Sequence, residues 1–449
     1  MVRLRPYQQD LFEKTQREIR AGKRRVLVVS PCGSGKTMLM AHMAEQAQLK
    51  GKRVWIILPR QEIMEQTLET LERCEIPLST IYVGMAITTA NKVHRMKPPD
   101  LILIDECHLS MAETYRKLIA PFPNATVIGA TASPIRTDNK PLGNLYDTIV
   151  EGVTVKWLIE NKFLAPYEYY SVTVADLTHL AHRGNDLDAQ EASAMLMKPA
   201  VYGDVIKHWK RLAKGLQTVV YCSSVEHSRR TAAAFRVAGI PALHFDGSTP
   251  HAERKAIVER FRSGEIQVLC NCDLISMGFD MPDIGCVVML RPTESTSLYI
   301  QQSGRALRYK PNKTAVIIDM VGNYQRFQLP DEPYEWSLDQ PIRQRKVLDN
   351  EGNFYVRTCP HCFMVFKTAD VCPYCKEPYP LSPREIEAHE AIELQRITAE
   401  EAKKAEEQRK QRRRQQGKAR SFEELVEIGK QRGYKNPAYW ANMILRSRK

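Results

Sequence analysis

From Val26 to about Met320, short apolar runs alternate with amphipathic stretches that have the period of a helix. The runs are Val26–Ser30, Val54–Leu58, Leu101–Asp105, Thr126–Ala130, Thr218–Cys222, Ile266–Asn271, Cys286–Leu290 and Ala315–Asp319. They are rich in Val, Ile and Leu and hardly alternate with polar residues. Strands look like this when both faces of their sheet are covered, as in parallel α/β folds. The segments between them, such as Met38–Lys50 and Val225–Ala238, are long enough for crossover helices. Two tandem parallel-sheet α/β domains are therefore expected, at 1–150 and 200–340, with 151–199 as a linker or small insertion. Residues 331–350 hold prolines and charges and read as a connector. Beyond them lie a short cysteine-bearing segment (354–380), a charged stretch of helix formers ending in a basic block (382–418) and a small helical unit (420–449). Ser421 followed by Glu424 fits a capping box at the start of that last unit.

Composition narrows the class. At 449 residues the chain exceeds one ordinary core and suggests about three domains. Its 43 % hydrophobic content supplies a folded interior. The charge of 65 basic against 52 acidic residues, +13, favours a polyanionic partner. Residues 341–449 carry 23 basic and 15 acidic side chains, so +8 of that excess lies there. The first ten residues are polar and lack the apolar core of a signal peptide. No apolar run approaches the ~20 residues that span a bilayer. A cytoplasmic protein with no membrane partner is expected. Thiols stay reduced there, so the 11 cysteines are not a disulfide framework.

Ser30-Pro31-Cys32-Gly33-Ser34-Gly35-Lys36-Thr37 follows a buried-strand candidate and precedes a helix candidate. This is the setting of a phosphate-binding loop. Successive N–H groups through Gly33, Ser34 and Gly35, with the helix start, form a nest for phosphates. Lys36 would reach the terminal phosphates and Thr37 would place a hydroxyl on Mg²⁺. The usual first glycine is replaced by Ser30. Downstream, Leu101-Ile102-Leu103-Ile104-Asp105-Glu106-Cys107-His108 is an apolar strand ending in two acids. Carboxylates at the carboxyl end of a parallel strand face the ligand crevice. Asp105 would hold Mg²⁺ and Glu106 would activate water. ATP and Mg²⁺ are the cofactors this pair of motifs calls for. Adjacent acids alone are common on solvated surfaces; their order after the loop carries the assignment.

With these residues the chain resembles the superfamily 2 helicases, Asp105-Glu106-Cys107-His108 being the nucleotide-hydrolysis motif. The likeness covers residues 3 to about 325. It implies two tandem RecA-like domains with ATP between them. Arg5-Pro6-Tyr7-Gln8 resembles the upstream adenine-reading element, with Gln8 on the base. Pro59-Arg60-Gln61-Glu62 and Thr88-Thr89-Ala90-Asn91 fall where the first domain meets a nucleic-acid backbone. Thr131-Ala132-Ser133 resembles the motif coupling hydrolysis to movement. Tyr221-Cys222-Ser223-Ser224 and Asp246-Gly247-Ser248-Thr249 match backbone-contact motifs of the second domain. Gly278-Phe279-Asp280 resembles the fifth motif, with Asp280 at the nucleotide. Cys272-Asp273 stands where many relatives have Thr before Asp. Gln301-Gln302-Ser303-Gly304-Arg305-Ala306-Leu307-Arg308 matches the sixth, which implies that Gln301, Arg305 and Arg308 complete the site across the cleft.

Cys359-Pro360-His361-Cys362 and Cys372-Pro373-Tyr374-Cys375 form a paired Cys-x-x-Cys signature, and four thiolates satisfy tetrahedral Zn²⁺. His361 lies inside one turn and is not expected to be a ligand. A motor followed by a zinc ribbon resembles RadD-type DNA-repair helicases and phage or prophage helicases, a likeness strengthened by Arg291-Pro292-Thr293-Glu294-Ser295. The block from Lys403 to Arg420 reads either as a non-specific phosphate binder or as a solvated helix. Tyr434, Tyr439 and Trp440 read chiefly as a small apolar core, with base stacking as the alternative. The expected function is an ATP-dependent DNA helicase or translocase of replication, recombination or repair. An RNA helicase, the motor of a restriction complex and an ATP-gated scaffold that does not unwind remain the alternatives. DNA, single-stranded, forked or branched, is the expected partner, and no protein partner is indicated.

Overall fold

The computed structural model describes residues 2–109, 112–135, 142–171, 180–183, 186–272, 284–340, 356–359, 361–367, 371–378, 419, 421–431 and 437–446. The basic stretch 382–418, the motif 278–280 with Asp280, Asp273 and Tyr434 lie outside them.

Residues 1–343 form one compact unit of two lobes. The first lobe is built from α1 (Pro6–Arg20), β1 (Arg25–Val29), α2 (Lys36–Gln48), β2 (Val54–Leu58), α3 (Gln61–Arg73), β3 (Ile81–Met85), α4 (Ala86–Lys92), β4 (Leu101–Asp105), α5 (Ala112–Ile119), β5 (Thr126–Thr131) and β6 (Thr148–Glu151). Its six strands run parallel in the order β3-β2-β4-β5-β1-β6. Alternate residues of each inner strand enter different cores. Val26, Val28, Ile56, Leu58 and Leu103 pack with Leu11, Leu39, Met43 and Ile63 of α1, α2 and α3. Leu27, Val29, Trp55, Ile57, Ile102 and Ile104 pack with Tyr115, Leu118 and Ile119 of α5. Two covered faces explain why these strands read as unbroken apolar runs.

The chain continues through α6 (Val155–Glu160), β7 (Tyr167–Ser171), β8 (His182–Arg183), β9 (Asp186–Leu187), α7 (Ala189–Leu196), α8 (Pro199–Leu212), β10 (Thr218–Cys222), α9 (Val225–Val237), β11 (Ala242–Phe245), α10 (His251–Arg262), β12 (Val268–Asn271), β13 (Cys286–Leu290), α11 (Thr296–Gly304), β14 (Ala315–Asp319) and α12 (Tyr324–Phe327). The second sheet is also parallel, in the order β11-β12-β10-β13-β14-β7.

The stretch 151–199, expected as a linker or insertion, is more than that. Its β7 pairs with β14 and closes the second sheet, with Tyr169 Oη donating to the buried Asp319 carboxylate at 3.0 Å. The eight apolar runs are the eight inner strands. The four strands without a clear apolar signature, β3, β6, β7 and β11, are the four sheet edges. An edge strand has one ladder partner and less cover, so its sequence carries less hydrophobic signal.

Residues 344–449 form a second unit. The antiparallel pair β15 (Val356–Thr358) and β16 (Val365–Lys367) frames the cysteines. Two helices, α13 (Phe422–Gln431) and α14 (Pro437–Arg446), pack through Leu425, Trp440 and Ala441. Ser421 Oγ accepts Glu424 N–H at 3.1 Å and the Glu424 carboxylate accepts Ser421 N–H at 3.4 Å, the reciprocal pair of a capping box. Trp440 is in this core, whereas Tyr439 lies on the surface, 53 % exposed. Among the described residues no helix is long and apolar enough to cross a membrane.

Candidate active site between the two lobes

The loop after β1 turns twice through left-handed backbone, at Gly33 (φ +78°) and Gly35 (φ +82°). Space as well as conformation demands glycine. A Cβ on Gly35 would lie 2.6 Å from Gln8 Nε2, and one on Gly33 2.9 Å from Leu164 Cδ2. Tyr7 Oη donates to Ser34 O at 2.8 Å. Gln8 Nε2 donates to Ser34 O and Gly35 O at 3.0 and 3.1 Å, and its Oε1 accepts Arg5 N–H at 3.0 Å. Gln8, expected to read adenine, here uses its amide to brace the phosphate loop.

The two acids end β4 in the crevice. Glu106 has a left-handed backbone (φ +43°), a conformation uncommon for a side-chain-bearing residue and concentrated at functional sites. Lys36 Nζ is 3.8 Å from Glu106 Oε1, and His108 Nδ1 is 3.4 Å from the buried Glu106 Oε2. Burial works against the Glu106 charge, but Lys36, His108 and Arg305 outweigh it and hold its pKa below the ordinary range. Burial first, and then the charge on Glu106, push Asp105 up to about 7. Two neighbouring carboxyls with opposite shifts are suited to different tasks. For Lys36, burial opposes the charge while Glu106, Cys32 and Asp105 favour it, and the net shift is upward.

The second lobe completes this crevice. Gln301 Nε2 lies 2.8 Å from His108 Nε2, and His108 Nδ1 lies 2.8 Å from Thr131 Oγ1. Burial holds the His108 pKa below its ordinary value. With Gln301 donating, the ring proton sits on Nδ1 and is donated to Thr131. The Thr131 hydroxyl donates to Ser133 O at 2.9 Å and accepts Ser133 N–H at 3.0 Å. Ser133 Oγ and Ser297 Oγ, 2.7 Å apart, form a second bridge between the lobes. Gly304 approaches so closely that a Cβ there would lie 2.7 Å from Cys32 Cβ. Arg305 acts electrostatically on Glu106 and Lys36, and both Arg305 and Arg308 act on Cys32. Gln301, Arg305 and Arg308 therefore share one crevice with Lys36, Asp105 and Glu106.

The comparisons with known proteins agree with this architecture. The description "Type III restriction enzyme, res subunit" fits residues 1–98 and 78–136, and "Helicase conserved C-terminal domain" fits residues 200–310. A 51.5 kDa protein of a Lactococcus phage is 34 % identical over 378 residues, covering 84 % of this chain and 83 % of that protein. The chain belongs to the superfamily 2 helicases. The Saccharomyces cerevisiae protein assigned as ATP-dependent helicase IRC3 is 29 % identical over 71 % of this helicase, which spans about half (51 %) of that longer protein. Among solved structures, a fragment assigned as the HsdR subunit of a Vibrio vulnificus type I restriction enzyme shares the fold with a TM-score of 0.57 at 22 % identity, over 72 % of this chain and 65 % of that one. As a superfamily 2 member, the helicase is a nucleic-acid-dependent ATPase.

The remaining motifs also have definite positions. Thr88 and Asn91 are exposed on α4, while Thr89 is buried and lies 3.1 Å from Tyr82 Oη. Ser224 caps α9, accepting His227 N–H at 3.1 Å. Asp246 closes a turn by accepting Ser248 N–H at 2.7 Å.

The four cysteines converge, with all ligand atoms within 4.8 Å of one another. Cys359 and Cys375 sulfurs are 3.6 Å apart, as are those of Cys362 and Cys372. A ZnS₄ tetrahedron with bonds of about 2.3 Å has edges of about 3.8 Å, so the set fits zinc. The two turns repeat one pattern. Cys359 N–H bonds Met364 O and Cys372 N–H bonds Glu377 O, and Phe363 and Lys376, each four residues past its first cysteine, have positive φ. Burial opposes a thiolate at Cys359, but the N–H groups of Cys362 and His361 bring its pKa down to about 7.

Several contributors escaped the sequence reading. His108 was visible only as part of a motif, with nothing to indicate its bond to Gln301. Leu164, in the connection between the lobes, touches the phosphate loop and pairs with Arg308; it has no sequence signal.

Proposed function

We propose that this helicase is a DNA-directed translocase or unwinding motor of replication, recombination or repair. The observation that carries the reading is the closed crevice, in which Gln301 bonds His108 across the lobes while the charge of Arg305 acts on Glu106 and Lys36. DNA as the track is supported by the net charge of +13 and by relatives such as the protein named DNA 3'-5' translocase XPB2 from Sulfurisphaera tokodaii, 24 % identical over 71 % of this chain.

In this reading Gly33, Ser34, Gly35 and Lys36 hold the phosphates, and Gln8 joins the adenine side. Thr37 and Asp105 hold Mg²⁺, which neutralises charge on the phosphates when bound. Glu106 accepts a proton from the water that attacks the γ-phosphorus as the bond to ADP breaks. Arg305 and Arg308 stabilise the charge spreading over the transferred group. Because the site is shared, ATP favours the closed pair of lobes and product release favours the open one. Contact residues on both lobes, Arg60, Thr88 and Asn91 on one side and the 221–224 strand end and the 246–249 turn on the other, then shift along a strand. Cys359, Cys362, Cys372 and Cys375 hold Zn²⁺ as a structural centre.

The test is ATP turnover with single-stranded DNA, forked DNA and RNA at two salt concentrations. Stimulation by DNA of at least tenfold over the free enzyme is expected. Equal turnover with and without nucleic acid would end the motor reading, and preferential stimulation by RNA would replace DNA as the track.

A further inference from the structure

The β8–β9 hairpin lies in the stretch between the lobes, yet it grips the loop that leads into α11. Asp186, the first residue of β9, accepts the Thr293 hydroxyl on both carboxylate oxygens, at 3.0 and 2.9 Å. The same carboxylate accepts Glu294 N–H at 2.6 Å, and Arg291 Nη2 stands 3.9 Å away. Asn323 holds the loop from behind, accepting Thr293 N–H at 3.2 Å and donating to Arg291 O at 3.0 Å. Thr293 and Asn323 are fully buried. The Thr293 hydroxyl oxygen also accepts Ser295 N–H at 3.0 Å, and Ser295 Oγ caps α11 through Leu298 N–H. α11 then carries Ser297 and Gln301 and delivers Arg305.

The grip has a rigid base. Asp188 N–H bonds Ala181 O, and Ala181 N–H bonds Glu191 Oε2, both at 2.8 Å. Asp188 caps α7, and Ser193 Oγ of α7 meets Ser224 Oγ at 2.6 Å. The hairpin and α7 are thus fastened to the second lobe at two separate points. A carboxylate on such a support, taking a hydroxyl and an N–H from consecutive residues, fixes the loop in position and orientation.

We infer that Asp186 is a positioning residue for hydrolysis: it holds the 291–295 loop so that α11 presents Gln301 and Arg305 to His108, Lys36 and Glu106. The inference rests on the proposed role of Arg305 in charge stabilisation. Displacement of a catalytic group by about 1 Å can cost on the order of a hundredfold in rate. Asp186 touches no reacting atom, so its loss should weaken transition-state binding and spare ground-state binding.

The experiment uses the full chain with saturating single-stranded DNA. It measures kcat, the affinity for ADP and the affinity for ADP–aluminium fluoride. Asp186→Ala should lower kcat between about tenfold and a hundredfold and lower the ratio of analogue to ADP affinity in parallel, with ADP affinity unchanged. Asp186→Asn should stay near wild type, because Oδ1 alone accepts both the Thr293 hydroxyl and Glu294 N–H. Thr293→Val should behave like Asp186→Ala, and the double variant should be no worse than either; Thr293→Val carries the test if Asp186→Ala fails to fold. Arg305→Ala serves as the reference. If it lowers the ratio and Asp186→Ala does not, the inference alone is wrong. If Asp186→Ala weakens both ligands equally, the residue is merely structural and the inference is again wrong. If Arg305→Ala leaves the ratio intact, the role of Arg305 fails first and the inference falls with it.

Discussion

Glu106 and Gly304 show how a single position can be set by the space around it. Glu106 is held ionised between Lys36 and His108 in a strained backbone. Glu106→Gln preserves the shape and removes the base. Turnover should fall by about 10²–10⁴ while nucleotide binding, read by a fluorescent ATP analogue, persists; retained turnover would remove Glu106 from the base role. Gly304 is required because the phosphate loop approaches within contact distance. Gly304→Ala places its methyl group 2.7 Å from Cys32 Cβ, so the lobes must part and DNA-stimulated turnover should drop at least tenfold. Cys32→Gly in the same chain removes the opposing carbon and should restore part of the loss. No rescue would mean that the two positions are not apposed in the working enzyme. At this scale the sequence was most informative where backbone geometry is local. Gly33, Gly35 and Lys36 could be read from a loop of eight residues, whereas Gly304 gave no sign that its neighbour would be Cys32.

Among the elements, inner strands and edge strands differ in how readily they can be read. β2, β4, β10, β13 and β14 coincide with apolar runs because ladder neighbours and helices bury them from every side. β7, with the sequence Tyr-Glu-Tyr-Tyr-Ser, mixes polar and aromatic residues because one edge has no neighbour, and so it passed for linker. The cysteine turns are a contrasting case. They have almost no apolar core, yet their spacing alone indicates the geometry, since each turn repeats the same backbone hydrogen bonds. The purified protein should contain about one zinc per chain by elemental analysis. Cys362→Ser should lose the metal and the protease resistance of 356–378, as expected for a segment whose metal supplies its folding energy. A zinc-free chain with an intact, protease-resistant ribbon would contradict the assignment.

Across the whole molecule, the two lobes meet at a second place besides the nucleotide crevice. On α3, Glu62 pairs with Arg254 of α10 at 2.5 Å, and Glu65 lies 3.4 Å from His251. Two carboxylates of one helix thus face Arg254 and His251 of the other. Glu62 belongs to the 59–62 motif, so this clasp adjoins the expected track. A pair of this kind contributes about 1 kcal/mol, or roughly fivefold in the ratio of closed to open forms. Arg254→Glu should increase the radius of gyration of the nucleotide-free protein in solution scattering and raise the KM for ATP by a few-fold. Adding Glu62→Arg should reverse both effects. An unchanged radius in the single variant would show that the clasp does not hold the lobes together.

What the sequence by itself determined is whatever is written locally. That includes the inner strands, through unbroken burial; the phosphate loop, through glycine and lysine at fixed offsets; the paired acids at a strand end; and the four cysteines in two equal turns. The order of these features was enough to place the chain among two-lobed ATPases. Only the tertiary structure decided which groups meet: Gln301 with His108, Ser297 with Ser133, Gly304 with Cys32, Asp186 with Thr293, and β7 with β14. These partners lie more than a hundred residues apart and are joined by long-range packing. Such contacts impose no periodicity or composition on either segment, and they become visible only once the backbone has brought the segments together.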